Sequence, residues 1–226
     1  MRVLLLILDS EGHPYDQFRE VWRKYMTSHP NVDCYFYRGN PNLSSDYVLD
    51  NDTLWIRIPE THPHLFERTV RAFRYFVNMR PNIYDFVFRP NSSALVNLGM
   101  YYELCKTFPK QQFCSAVTGS YQQAGLDKFP SGSGFTLSFD LVKRFARQYD
   151  LKQVYLDDVS VGYYLQQWRI PIAPSTRFAF QPHEYSDEEL TAILASNFHL
   201  RFSNLGHRDW DVMAMNMIAD RIYGKK

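Results

Sequence analysis

The sequence predicts an α/β protein built on a mixed, mainly parallel sheet with helices on both faces. Short apolar runs alternate with longer segments that repeat apolar residues at helical spacing, the order expected when parallel strands are joined through helices. The 226 residues are 45% hydrophobic and 16% aromatic, which suits a packed core and excludes a largely disordered chain. We expect residues 1–226 to form a single domain.

The first two elements are clear from their patterns. Residues 3–8, VLLLIL, form a continuous apolar run of the kind found in buried parallel strands. Pro14 stands where a first-turn proline belongs, so a helix is expected directly after it. Apolar residues at helical spacing follow, namely Phe18, Val21, Trp22, Tyr25 and Met26.

The remaining elements continue the alternation. Residues 32–37 and 53–58 are short strands, and the polar stretch 39–52 between them predicts a surface loop. Residues 62–78 place their apolar side chains on one helical face. The later predictions are a buried strand ending at Arg89 and Pro90, a helix at 99–106, strands at 113–117 and 135–139, helices at 140–148 and 158–168, a short helix to Ala195 that begins with a Ser186 and Glu189 capping box, a strand at 198–202, and a helix at 209–223.

Charge and cysteine content limit the classes of function. Lys and Arg total 25 against 24 Asp and Glu, so no overall charge favours nucleic acid or an anionic membrane as a partner. The apolar run before Asp9 is too short for a secretion signal or a membrane span. Three widely spaced cysteines without a C-x-x-C motif indicate neither a disulfide framework nor a zinc site. We expect a cytoplasmic protein.

Polar residues follow three of the strand-like runs, where an α/β sheet binds its ligands. The first group is Asn91, Ser92 and Ser93, which end a buried strand. In the second, Gly132 and Gly134 either form an ordinary turn or let the backbone approach a ligand. In the third, Asp157 and Asp158 open a helix, where carboxylates serve as caps or as catalytic groups.

The order of these motifs resembles the GT-A-fold glycosyltransferases of the β1,3-galactosyltransferase and Fringe type, including their small soluble relatives in large DNA viruses and bacteria. Such enzymes have a hydrophobic strand ending in acidic residues, then a glycine segment, an acidic pair and a late histidine. The matching segments are VFRPNSSALVN at 87–97, FPSGSGFTLSFD at 129–140, DDVSVG at 157–162, and His199 in NFHLRF. The similarity extends over nearly the whole chain, and it implies a Rossmann-like GT-A domain.

The resemblance implies an inverting transfer of a sugar from a nucleoside-diphosphate sugar to a hydroxyl group of a glycan acceptor. Asp158 would be the general base, and Asp157 would orient the acceptor or raise the pKa of its neighbour. Tyr37 and Arg38 would stack on the base, while Asp9 is equally well a turn residue and His199 a packing residue. The candidate donor-binding residues are Leu8, Asp9, Ser10, Arg38, Arg68, Arg89, Asn91, Ser92, Ser93, Gly132, Ser133, Gly134 and Arg201.

The resemblance also implies Mn²⁺ or Mg²⁺, but the positions of the metal-binding acids hold neutral Asn91, Ser92 and Ser93. Neutral oxygens make a much weaker site for a hard cation. One alternative is a metal held mostly by the diphosphate, with support from Asn91, Ser93 and His199. The other, which we favour, replaces the metal with cationic side chains, for which Arg68, Arg89, Arg201 and Arg208 are available.

Two other functions compete with this reading. Loss of the metal-binding acids is what a catalytically inactive sugar-nucleotide or glycan-binding protein of the same fold would show. Retention of Asp157, Asp158 and His199 with both glycines argues for an enzyme. A nucleotidyltransferase is disfavoured because it needs an acidic metal-binding pair and the chain lacks a glycine-rich phosphate loop near its start.

Overall fold

A computed structural model describes residues 1–122 and 125–224. The strands are β1 (Val3–Leu8), β2 (Val32–Gly39), β3 (Tyr47–Asp50), β4 (Thr53–Ile56), β5 (Phe86–Pro90), β6 (Ala94–Val96), β7 (Cys114–Tyr121), β8 (Leu126–Ser138), β9 (Ile172–Pro174), β10 (Phe178–Phe180) and β11 (His199–Phe202). The helices are α1 (Tyr15–Tyr25), α2 (Leu65–Met79), α3 (Leu98–Cys105), α4 (Phe139–Arg147), α5 (Asp157–Gln167), α6 (Asp187–Ser196) and α7 (Arg208–Tyr223). A 3₁₀ turn, His62–His64, leads into α2.

In residues 1–122 and 125–224, the main sheet has eight strands in the order β3-β4-β2-β1-β5-β8-β7-β9. Within the described residues, β1 pairs in parallel with both β2 and β5, β2 with β4, and β7 with β9. The pairs β3 with β4, β5 with β8, and β7 with β8 are antiparallel. A smaller sheet has the order β10-β11-β6. The predicted mixed, mainly parallel sheet is therefore confirmed.

The core lies on both faces of the main sheet, because side chains of a strand alternate between its two sides. Leu5 and Ile7 of β1 belong to the apolar cluster that includes side chains of α1, α3 and α7. Leu4 and Leu6 belong to the cluster on the other face, which includes side chains of α2, α4 and α5. Burial on both faces explains why β1 is apolar at every position.

Two stretches differ from their predicted structure. Residues 47–50, expected within a surface loop, form the edge strand β3, because its backbone groups pair with β4 although most of its side chains are exposed. Gly132 and Gly134, for which a turn was one prediction, lie inside β8, whose backbone pairs with β5 at Gly134. Antiparallel pairing with β5 thus gives strand structure at Gly134 although glycine is a weak strand former.

Helix starts agree closely with the sequence. The predicted capping box is confirmed, since Ser186 Oγ accepts a hydrogen bond from Glu189 N at 3.2 Å and Glu189 Oε2 accepts one from Ser186 N at 2.7 Å. Pro14 is the N-cap of α1 rather than a residue of its first turn. The N-cap of α5 is Leu156, so Asp157 and Asp158 are its first two helical residues and neither is the N-cap.

The structure shows the state of the cysteine thiols and whether the helices could span a membrane. Cys34, Cys105 and Cys114 are all buried as free thiols. Within residues 1–122 and 125–224, every helix is too short or too polar to cross a bilayer.

Candidate functional site

The carboxyl end of β1, the turn after β5 and the glycine segment of β8 meet at one place. Leu8 forms an isolated parallel bridge with Asn91, and Ser92 N donates to Leu8 O at 2.9 Å. Asn91 N in turn donates to Ser133 O at 3.3 Å. Backbone hydrogen bonds therefore hold the end of β1 and the first two predicted polar groups together at the edge of the sheet where an α/β protein binds ligands.

Arg89 connects this edge to helix α5. The side chain is completely buried, with Nε donating to the Tyr37 hydroxyl at 3.0 Å. Nη1 donates to Asn91 Oδ1 at 2.9 Å and to Gly132 O at 2.6 Å, and Nη2 forms an ion pair with Asp157. These contacts inside the protein favour a positioning role for Arg89 over direct contact with a diphosphate.

Asp157 and Asp158 face different surroundings although they are adjacent. Asp157 is buried, where it pairs with Arg89 and accepts a hydrogen bond from Thr69 Oγ1 at 3.3 Å. Asp158 is only half-buried, and its Oδ2 accepts a hydrogen bond from Gly132 N at 2.7 Å. Burial, together with the charge of Asp157, raises the pKa of the Asp158 carboxyl. Asp158 is therefore the carboxylate of the two that a ligand can reach.

Gly132 and Gly134 are required by close packing within the site. A Cβ atom on Gly132 would lie 2.7 Å from Asp158 Oδ2. A Cβ atom on Gly134 would lie 2.8 Å from His199 Cε1 and 2.6 Å from a ring carbon of Phe88. Side chains of the protein itself occupy the space that these glycines leave, and their close approach to a ligand stays a prediction.

A second group of polar side chains lies around the ends of β1 and β2. Asp9 is buried and forms an ion pair with Arg19, but its Oδ1 has no hydrogen-bond partner. Burial is the largest cause that raises the pKa of Asp9. Arg38 forms an ion pair with Glu60 at 3.2 Å, and its guanidinium lies 4.9 Å from the centre of the Trp55 ring.

Arg68 and Tyr37 differ from their predicted environments. Arg68, whose place in a helix suggested a solvated face, is 2% exposed, and its Nε and Nη1 atoms have no hydrogen-bond partner. Burial lowers the pKa of Arg68. Tyr37 is completely buried and its hydroxyl bonds to Thr69 at 2.9 Å, so the expectation that it stacks on a base is wrong. Unpaired buried polar atoms are costly, and a polar ligand would satisfy those of Arg68.

An open cavity of about 380 Å³ lies beside the β1 end, next to this polar group. Its lining includes Leu8, Ser10, Asn91, Ser92, Arg201 and Arg208. Arg208 also forms an ion pair with Asp211 at 2.6 Å, so its charge is already balanced. The cavity is thus bordered by six of the thirteen candidate donor-binding residues, namely Leu8, Ser10, Asn91, Ser92, Ser93 and Arg201.

His199 is the first residue of β11. Its side chain packs against Phe88 and also faces the site. Its ring meets Phe88 edge to face at 5.4 Å, and its Nε2 atom is buried without a partner. Burial, with the charges of Arg177 and Arg201, lowers the pKa of His199 to about 3. The imidazole is therefore neutral at physiological pH.

Two arginines, Arg177 and Arg201, lie near enough to this histidine for their charges to affect it. Arg201 Nη1 donates to Ser93 Oγ at 2.6 Å. Arg177 Nη1 donates to Ser131 Oγ at 3.0 Å and also to Ser133 Oγ. Sequence reasoning missed Arg177, because a lone arginine in a polar stretch before a three-residue strand carries no pattern that marks it.

The residues predicted for a metal do not fit a divalent cation. Asn91 Oδ1 already accepts a hydrogen bond from Arg89, and Ser93 Oγ accepts one from Arg201. A cation bound by these oxygens would face two guanidinium groups and no carboxylate among those donors. Within the described ranges, no three His, Cys, Asp or Glu side chains are grouped to hold a metal ion. The metal site stays a prediction, and the donor chemistry opposes it.

The predicted residues therefore fall into two neighbouring groups. The first group joins the turn after β5, the β8 glycine segment and the start of α5 through Arg89, with His199 and Arg201 beside it. The second is the polar group of Asp9, Arg38 and Arg68. Besides Arg177, sequence reasoning missed Arg19, Glu60 and Thr69, which no sequence motif marks and which matter only through their contacts.

Comparison with known proteins identifies the fold. No protein-family model and no curated protein matches the chain. A glycosyltransferase involved in the glycosylation of the major capsid of PBCV-1 superimposes on 96% of this chain and 100% of its own, with a TM-score of 0.56 and 11% sequence identity. A197 from STIV covers 78% of this chain and 82% of its own with a TM-score of 0.46 and 10% identity, too weak to support an argument. The chain therefore shares its fold with that PBCV-1 glycosyltransferase, which confirms the predicted fold class.

Proposed function

We propose that this protein is an inverting glycosyltransferase that moves a sugar from a nucleoside-diphosphate sugar to a hydroxyl group of a glycan. The observation that carries the proposal is the position of Asp158. Its half-buried carboxylate bonds to Gly132 N at 2.7 Å, and Gly132 O is linked through Arg89 to Asn91 at the end of the central strands. A base beside the strand-end ligand site is what this reaction requires.

The chemistry assigned to Asp158 is general base catalysis. The acceptor oxygen forms a bond to the anomeric carbon while its proton passes to the Asp158 carboxylate. The bond from the anomeric carbon to the diphosphate oxygen breaks, and its electron pair leaves with the diphosphate. A single displacement of this kind inverts the anomeric configuration. A carboxylate with a raised pKa is better matched to this proton transfer than an ordinary aspartate.

Asp157 and Arg89 act as positioning residues in this proposal. Their buried ion pair fixes the start of α5 against the end of β5, which carries the turn at Asn91. Because Arg89 also bonds to Gly132 O, the same pair locates the backbone that holds Asp158. The acceptor therefore meets Asp158 rather than Asp157.

The nucleoside is assigned to the polar group at the ends of β1 and β2. Asp9 Oδ1, Arg38 Nε and Arg68 Nε are buried without hydrogen-bond partners. Hydroxyl groups of a ribose and the polar edge of a base supply donors and acceptors of the kind these atoms lack. The adjoining cavity, lined by Leu8, Ser10 and Ser92, gives the donor access to the strand ends.

Turnover with a panel of nucleoside-diphosphate sugars and simple glycan acceptors tests this function. We expect release of nucleoside diphosphate from at least one donor, and a loss of about 100-fold or more in kcat for Asp158→Asn, because general base catalysis contributes rate factors of that size. Asp150→Asn, at an exposed carboxylate, is the matched control and should keep wild-type activity. The configuration of the new glycosidic bond, read by NMR, tests inversion.

A catalytically inactive sugar-nucleotide or glycan-binding protein is the second candidate. The neutral residues Asn91, Ser92 and Ser93 favour it, because a decayed enzyme would lose its metal-binding acids first. Donor binding without any release of nucleoside diphosphate, unchanged in Asp158→Asn, would replace the enzyme proposal with this one.

A further inference from the structure

The site contains two arginines whose charge is not balanced by a carboxylate. Within residues 1–122 and 125–224, Arg177 and Arg201 bond to serine hydroxyls and form no ion pair. The other buried or half-buried arginines nearby differ, since Arg38 pairs with Glu60, Arg89 with Asp157 and Arg208 with Asp211. Two neighbouring cations of this kind repel each other, and an anion between them would remove that cost.

The serine contacts leave the rest of each guanidinium available. Arg177 and Arg201 each use Nη1 for the serine hydroxyls. In the described part of the chain, their Nε and Nη2 atoms have no protein partner, and these atoms are not among the fully buried ones. The Nε and Nη2 edge of a guanidinium is a bidentate donor that matches two oxygens of a phosphate.

We propose that Arg177 and Arg201 together bind the diphosphate of the donor and take the place of a divalent metal ion in stabilising it as it leaves. Their two positive charges equal that of one Mg²⁺ or Mn²⁺ ion. The role in group transfer rests on the proposed function, whereas diphosphate binding by the arginine pair is independent of it.

The positions of the two arginines suit this role. Arg201 bonds to Ser93, in the segment where the resemblance places metal-binding acids. Arg177 bonds to Ser131 and Ser133, the residues on either side of Gly132, whose backbone N–H bonds to Asp158. A diphosphate between the arginines would therefore lie next to the base that activates the acceptor.

His199 contributes to the same anion site. Its buried Nε2 atom has no partner, and its pKa of about 3 keeps the ring neutral, so the tautomer protonated at Nε2 can donate to a phosphate oxygen. The pKa of Arg201, lowered to about 10 by burial and by the neighbouring Arg177, still leaves the guanidinium charged at neutral pH. The site is thus cationic without a metal.

Isothermal titration calorimetry with inorganic pyrophosphate and with ADP, CDP, GDP and UDP tests the inference directly. Each titration is run in EDTA and in Mn²⁺ on the wild-type chain, Arg177→Gln, Arg201→Gln and Arg177→Lys. We expect binding in EDTA that Mn²⁺ does not strengthen. Each glutamine variant should weaken it about tenfold or more, the scale of a lost charge-assisted hydrogen bond. Arg177→Lys should recover part of the loss.

A matched control excludes a general effect of removing an arginine. Arg57 is exposed and its charge is already paired with Asp46, so Arg57→Gln should bind pyrophosphate like the wild type. Thermal unfolding of every variant verifies that it is folded. Arg177 lies in an irregular segment before β10, so its replacement should not change the fold.

The outcomes separate this inference from the proposed function. Three results would overturn the proposed role of the arginine pair. They are binding that appears only with Mn²⁺, binding that survives both glutamine substitutions, and no binding under any condition. Turnover that requires a metal would keep the glycosyltransferase and reject the inference. Arginine-dependent binding in EDTA, with no turnover from any donor, would keep the inference and reject the transferase.

Discussion

At the scale of single residues, the geometry of the site depends on the buried ion pair between Arg89 and Asp157. Both side chains are almost completely inaccessible to solvent. The pair is also surrounded by hydrogen bonds from Arg89 to Tyr37, Asn91 and Gly132. Such a pair is held in place by its partners, and removal of one member leaves a buried charge without compensation.

Arg89→Met should therefore destabilise the protein strongly. We expect a loss of about 3–5 kcal/mol in the free energy of unfolding, because the substitution strands the Asp157 carboxylate in a buried position. The double variant Arg89→Met with Asp157→Leu should recover much of this loss. Urea unfolding measures both, and a double variant less stable than Arg89→Met would show that the pair is not the dominant interaction.

As the pH falls, the proposed activity should decline at a higher pH than it would if the base were an ordinary aspartate. Asp158 must be ionised to accept a proton, and burial raises its pKa above the usual 3.8. The acid limb of kcat/KM should therefore lie above that value, with activity present above the limb and lost as the pH falls through it. A pH profile from 4 to 9 measures this limb; a limb at or below the usual aspartate value would remove Asp158 as the base.

At the scale of secondary-structure elements, β8 shows why one strand needs glycine at positions next to large side chains of its neighbours. Gly132 gives space to Asp158 from α5, and Gly134 gives space to Phe88 and His199. The pairing of this strand is irregular at the glycines: β5 pairs with it as far as Gly134, and its register with β7 shifts between Phe135 and Pro130. From the sequence, these glycines could either form an ordinary turn or let the backbone approach a ligand. A strand was not predicted there because glycine is a weak strand former on its own.

Gly132→Ala should impair activity more than stability. The added methyl group would lie 2.7 Å from Asp158 Oδ2, so the carboxylate has to move away from the acceptor position. We expect kcat to fall at least tenfold while the free energy of unfolding changes by no more than about 1 kcal/mol.

Gly99→Ala is the matched control for this substitution. Gly99 lies in α3, and its added methyl group meets only Asn97 Oδ1, at 3.6 Å. Alanine there should leave turnover unchanged and stabilise the helix by about 0.5–1 kcal/mol. Equal losses of turnover in the two variants would contradict a local role for Gly132.

At the scale of the whole molecule, the sheet order brings distant parts of the chain to one edge. β1 lies between β2 and β5, so the ends of all three strands meet although residues 8, 39 and 90 are far apart in sequence. The small sheet of β10, β11 and β6 places Arg201, within β11, beside the segment after β5, and Arg177, just before β10, beside the glycine segment of β8. The shared fold with the PBCV-1 glycosyltransferase extends over the whole of that protein, at 11% identity.

The sequence by itself determined the order of the main helices and strands, the face each helix buries, and the segments that carry polar residues to the strand ends. Apolar periodicity and capping residues act over a few positions, so they can be read locally, as for β1, α2 and the Ser186 capping box. The same sequence analysis missed the edge strand β3, because four mostly exposed residues within a polar stretch give no clear pattern until β4 pairs with them.

The burial and the partners of the charged side chains in the site could be determined only from the tertiary structure. Arg89, Arg68 and Arg201 look alike in sequence, yet the first is held by Asp157, the second is buried with unpaired atoms, and the third, among the described residues, hydrogen-bonds only to Ser93. Arg177 joins the site through contacts with Ser131 and Ser133, 46 and 44 residues away. Burial and partners set the charge and freedom of an arginine, and both depend on residues that sequence proximity does not reveal.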